Sequence, residues 1–163
     1  MELKDALKKV EDDTELKDKL KGKSLCSALS FLKGWEIPLW ELNYYDPSTH
    51  KITQVAVDTK TYIKSEGDPF KDADIPSVDM SKMKVSAEKA LETGKKYYED
   101  KYKSHEMQRI FFALHAGESQ YWSMSVITKH LSLVIINIDT ENGKVISAKE
   151  SRLFHKGKGG KAA

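Results

Sequence analysis

The stretch YWSMSVITKHLSLVIINIDTENGKVISA, residues 121–148, decides the reading of the fold because it holds three strand signals in one short span. Trp122, Met124 and Val126 alternate with Tyr121, Ser123 and Ser125, the period of a strand with one buried face. Residues 131–138 are almost continuously apolar, as in a central strand, and Asp139-Thr140-Glu141-Asn142-Gly143 is a turn feeding Lys144-Val145-Ile146. The same plan occurs earlier. Trp40, Leu42 and Tyr44 alternate with Glu41, Asn43 and Tyr45; Asp46-Pro47-Ser48-Thr49 supplies a turn, residues 52–57 return as a strand, and Tyr62-Ile63 forms a short fourth.

Each meander is preceded by a helix and a further strand. Leu3, Leu7 and Val10 recur at helical spacing through ELKDALKKVEDDTELKDKL, read as one helix closed by Gly22. Residues 25–33, LCSALSFLK, suit a strand or a buried helix, and the later counterpart favours strand. Residues 66–84 carry two prolines, a glycine and several acids, the composition of a connector. Ser86 then caps a second helix with an Ala87, Leu91, Gly94, Tyr98 stripe, in which Gly94 marks close packing on a sheet. Ile110, Phe112 and Leu114 alternate within a strand over 107–116. Ala6-Leu7 falls on Ala87-Glu88, Phe31 on Phe112, Trp40 on Trp122 and Asp58 on Asp139, at offsets of 81 or 82 residues. The expectation is an α+β fold of two tandem helix-plus-antiparallel-meander units sharing a core. The first unit spans 1–66, a connector 67–84, the second unit 85–154 and a disordered basic tail 155–163.

The runs VSAEKALETGKKYY, YWSMSVITKHLSLVIINID and TENGKVI resemble a PepSY unit, the helix-plus-sheet module named for peptidase propeptides. The resemblance rests on the capped S-x-E-x-A helix at Ser86–Ala90 and on an apolar strand ending at Asp139 before a turn containing Gly143. Val57-Asp58-Thr59 in the first half has no such glycine. Tandem units of this shape also resemble the β-lactamase-inhibitory-protein architecture within the cystatin-like class, although Gln54–Asp58 lacks the Val and Gly of the cystatin Q-x-V-x-G hairpin. The resemblance implies a module that binds or inhibits peptidases.

Composition narrows the classes. With 39% hydrophobic and 32% charged residues the chain is globular, and no run approaches the roughly 18 apolar residues of a membrane span. A charged start and a lone cysteine, Cys26, lead to a cytoplasmic expectation. Residues 1–81 carry a net charge of −4 and residues 82–163 carry +6, which reads first as solvated faces of mixed charge and otherwise suits an acidic partner for the second half or head-to-tail self-association. Only Arg109 and Arg152 are arginines, so nucleic acid is an unfavoured partner.

No residue is expected to be catalytic, and no metal or cofactor is expected. Cys26 lies between Leu25 and Ala28 in an apolar run, which suits an inert thiol. His50, His105, His115, His130 and His155 show no zinc-ligand spacing. Asp58 and Asp139 read as turn-forming acids rather than paired catalytic carboxylates, and Gly157, Gly159 and Gly160 have no strand-to-helix context for phosphate. Trp40 and Trp122 belong to the buried alternating sets. Tyr45 and Tyr121 then face away beside Glu41, Asn43, Ser123 and Ser125, a polar face with aromatic anchors. These six residues are the expected binding surface of a non-enzymatic module for a protein or extended peptide. The competing readings are an enzyme or small-ligand protein with a pocket between the units, and a weak nucleic-acid binder using the Lys-rich end.

Overall fold

The computed structural model describes residues 1–69 and 75–154. Leu3, Ala6 and Val10 lie on one stripe of helix α1 (Leu3–Asp12) and are buried. The expected single N-terminal helix is instead two. The Asp13 carboxylate accepts the Leu16 N–H at 3.0 Å and starts a separate short helix, α2 (Thr14–Lys19). An aspartate that bonds the backbone three residues on competes with continuation of the first helix.

Four strands follow: β1 (Ser24–Phe31), β2 (Trp40–Asp46), β3 (Lys51–Val57) and β4 (Thr61–Gly67). Helix α3 (Ala87–Lys101) is capped by the Ser86 hydroxyl, which accepts the Lys89 N–H at 3.2 Å. It leads into β5 (Met107–His115), β6 (Tyr121–Thr128), β7 (Ser132–Asp139) and β8 (Val145–Arg152).

The strand order β4-β3-β2-β1-β5-β6-β7-β8 makes one antiparallel sheet of eight strands, and this overturns the expected pair of tandem helix-plus-meander units. Five residue pairs, from Ser27 opposite His115 to Phe31 opposite Phe111, join β1 to β5. Left apart, each of these strands would present a row of unpaired N–H and C=O groups; pairing them satisfies both rows. The same register corrects one landmark of the repeat. Phe31 lies beside Phe111, not in the place of Phe112, and is 50% exposed, whereas Phe112 is fully buried.

Among the described residues α3 packs over β6 and β7, α1 packs against β3, and α2 packs against α1. Trp40, Phe112 and Trp122 form the centre of the core, the Phe112 and Trp122 rings stacked at 5.2 Å and the two indoles 6.0 Å apart. Each buried indole N–H finds a backbone carbonyl: Trp40 donates to Met1 at 3.0 Å and Trp122 to Val85 at 3.2 Å. Glu2 ties the two helical segments together, its carboxylate accepting the first N–H groups of α3 from Ala87 and Glu88. At Gly94 a Cβ would stand 3.0 Å from the Met124 sulfur and 3.3 Å from Ile138 Cδ1, so the glycine sets the distance of α3 from the sheet.

The uncovered sheet face and the cleft at its end

Because the period of a strand is two, the residues that alternate with the core occupy the second face of the sheet, which no helix among the described residues covers. Glu41, Asn43 and Tyr45 on β2 and Tyr121, Ser123 and Ser125 on β6 all lie there, as expected. They do not form one cluster. With β1 and β5 between them, the two trios stand three strand spacings apart, about 14 Å.

Their exposures also differ from the expected open polar surface. Tyr45 is only 7% exposed, and its hydroxyl is 2.7 Å from His50 Nδ1. His50 holds a left-handed backbone (φ 56°) in the β2–β3 turn, and its ring lies tilted to that of the tyrosine, 6.3 Å between centroids. Glu41 and Ser123 are buried as well. The Glu41 carboxylate accepts from Lys64, an ion pair that raises the lysine pKa, and from the Gln54 amide. The Asn43 amide donates to the Ser27 hydroxyl at 2.9 Å. Tyr121 is half-buried, its ring 5.1 Å from that of His115. Desolvation lowers the His115 pKa, although the residue as a whole is exposed.

The most apolar part of this face lies elsewhere, toward the other end of β5–β8. One row across the strands reads Phe31, Phe111, Ser125, Ile135, Lys149, and the next reads Arg109, Ile127, Leu133, Ser151. Phe31 meets Phe111 edge to face at 5.0 Å. The formal charges in these two rows, Arg109 and Lys149, are both positive. Of this patch the sequence reading identified only Ser125. The signal was present in the Phe111-Phe112 pair, since adjacent residues of a strand must point to opposite faces and one phenylalanine must therefore be outside.

The other candidate chemistry disperses. Cys26 sits in a bulge of β1, buried, with its thiol on the Asn43 carbonyl at 3.2 Å and its pKa pushed up by burial, which suits an unreactive thiol. Asp139 accepts the Glu141 and Asn142 N–H groups in its own turn, and Asp58 heads the β3–β4 turn on a different strand end. The expectations for His155 and the glycine-lysine tail fall outside the described residues. Among the described residues no group of three or more His, Cys, Asp or Glu could hold a metal.

A cleft of about 840 Å³ opens on the helix side at the far end of the sheet, where α3 has ended and leaves β7 and β8 uncovered. The loop after α3, the β6–β7 turn and the end of β8 enclose it. Within it Ser104 Oγ lies 3.2 Å from His105 Nδ1, and His105 Nε2 lies 2.9 Å from Glu150 Oε1. The order hydroxyl, imidazole, carboxylate resembles a nucleophilic relay. Its first contact, however, joins chain neighbours. The chain fastens the loop to the edge strand.

No family model matches the chain, and no curated protein is similar to it. Among solved structures the chain is similar to a candidate lipoprotein of Clostridium difficile 630, with a TM-score of 0.56 at 13% identity over 84% of this chain and 88% of that one. That likeness concerns the fold. No helix among the described residues is long and apolar enough to cross a membrane.

Proposed function

We propose that the protein is a non-enzymatic binding module whose uncovered sheet face docks a protein segment carrying both apolar and acidic side chains. The observation that carries this reading is the asymmetry of the sheet: the helices lie on one face, and the other presents Phe31, Phe111, Ile127, Leu133 and Ile135 beside Arg109 and Lys149. An apolar patch with a charged rim is the composition of a docking surface. The rim disfavours a second copy, because two such faces would oppose like charges, whereas an acidic segment neutralises them. Inhibition of a peptidase, the activity implied by the PepSY resemblance, is one form such docking could take. A cytoplasmic setting is part of this proposal, supported by the single cysteine, Cys26, which is free and buried.

The test is affinity capture from the source cell with the wild type and with Phe111→Ser and Arg109→Glu/Lys149→Glu variants. Supporting results are a protein retained by the wild type and lost by both variants while the fold, read by circular dichroism, is unchanged. Capture that survives both changes removes this face as the docking surface.

A further inference from the structure

The cleft at the end of β8 is independent of the sheet face just described, and its chemistry is of another kind. Glu150 and Arg152 stand two residues apart on one strand, paired across to Val134 and Ser132 of β7, and so project to the same side, about 6.7 Å apart along the chain. They line the cleft with opposite charges. Among the described residues they form no ion pair with each other; Glu150 instead receives His105 on Oε1, and Arg152 has no carboxylate within salt-bridge range. Beside them Leu131 and Phe154, 44% and 70% exposed, offer apolar surface. Leu131 has a left-handed backbone, φ 59°, in the β6–β7 turn.

We infer that this cleft binds a small zwitterion with an apolar side chain, of the class of a free α-amino acid. Its ammonium group meets the second oxygen of Glu150, its carboxylate meets Arg152, and its side chain lies against Phe154 and Leu131. A ligand that carries both charges matches a wall that carries both, whereas a simple anion would face Glu150 and a simple cation would face Arg152. Arg152 offers the carboxylate a planar two-pronged donor. His105, fixed by Tyr102 at its edge, holds Glu150 in place and acts as a positioning residue.

The experiment is isothermal titration and amide chemical-shift mapping of the full chain with L-phenylalanine, with phenethylamine, which lacks the carboxylate, and with 3-phenylpropanoate, which lacks the amine. Phenylalanine is expected to bind at least about tenfold more tightly than either half-ligand, the size of one charge-assisted hydrogen bond, with shifts confined to the β8 end. Arg152→Gln should reduce phenylalanine to the level of phenethylamine and leave phenethylamine unchanged. Glu150→Gln, which keeps an acceptor for His105, should reduce it to the level of 3-phenylpropanoate. Equal binding of phenylalanine and 3-phenylpropanoate would overturn the zwitterion assignment in favour of a plain anion site. Absence of shifts at roughly 10 mM of phenylalanine and of leucine, with both variants folded, would overturn the site altogether.

Discussion

Phe111 and Phe112 are neighbours in the chain and belong to different regions of the molecule. Phe112 is fully buried between two indoles beneath the helices; Phe111 stands on the bare face against the edge of Phe31. The covered face is continuous and dominated by large apolar side chains. The bare face is divided, with tied polar groups around Glu41, Asn43 and Tyr45 at one place and unpartnered apolar side chains around Phe111 at another. The same residue type thus serves stability on one side and remains available for recognition on the other.

The largest expected effect breaks the covered side. Trp122→Ala removes a ring in contact with both Phe112 and Trp40 and leaves a cavity that α3, already held close at Gly94, cannot fill. A loss of about 3–5 kcal/mol is expected in urea unfolding. A loss below about 1 kcal/mol would mean that the two faces are reversed.

The next prediction uses pH to separate the faces on a single strand. Tyr44 and Tyr45 are adjacent on β2. Burial, with a smaller contribution from the charge of Glu11, pushes the Tyr44 pKa up to about 12. Between about pH 10 and 12 the unfolded chain loses a phenolic proton that the folded chain keeps, so stability falls as pH rises through that window. Tyr44→Phe should flatten this part of the alkaline stability profile relative to wild type. If the two profiles stay parallel from pH 9 upward, Tyr44 is not desolvated against the helices.

How much of this contrast is legible in the sequence depends on whether its cause is local. The alternation around Trp40 and Trp122 is local, and it assigns the covered face correctly for both strands. The Ser86 cap and the close approach at Gly94 are local too. The joining of β1 to β5 is not: it pairs residues eighty or more positions apart, and neither strand carries a signal naming its partner. Reading helix, strand and meander twice therefore led to two units where hydrogen bonding makes one sheet. The landmark at Phe31 failed for a related reason, since a one-residue error in register moves a side chain to the opposite face. Tyr45 points the way its position requires, but its hydroxyl meets His50 through a left-handed turn, a conformation that the Asp46–Thr49 turn chemistry does not specify. The cleft at Glu150 depends on where α3 stops relative to β8, again a tertiary fact.

Tyr45 sharpens the comparison within the bare face. Removing its hydroxyl in Tyr45→Phe leaves the His50 ring without its partner at 2.7 Å, and about 0.5–1.5 kcal/mol of stability should be lost. His50→Gly should lose the same bond while relieving the left-handed backbone, so its net effect is expected to be smaller. Equal losses in the two variants would indicate that the backbone is not strained at this turn.

The smallest expected effect belongs to Tyr121, the other aromatic anchor of the expected surface. Its ring is half-buried, lies beside His115 and opposite Asp139, and makes no side-chain hydrogen bond among the described residues. Truncation to alanine removes little contact and strands no buried polar group, so a change of about 0.5 kcal/mol in unfolding free energy is expected. Four residues along β6 separate it from Ser125, which pairs with Phe111, a distance of about 13 Å. A segment centred on Phe111 and Phe31 therefore reaches Tyr121 only at its margin, and margin residues contribute little to affinity. Tyr121→Ala should weaken capture of the docked protein by less than about fivefold, against a loss of at least about thirtyfold for Phe111→Ser. The reverse order would move the docking centre to Tyr121 and Ser123, away from the basic apolar patch, and would restore the surface that strand alternation alone suggests.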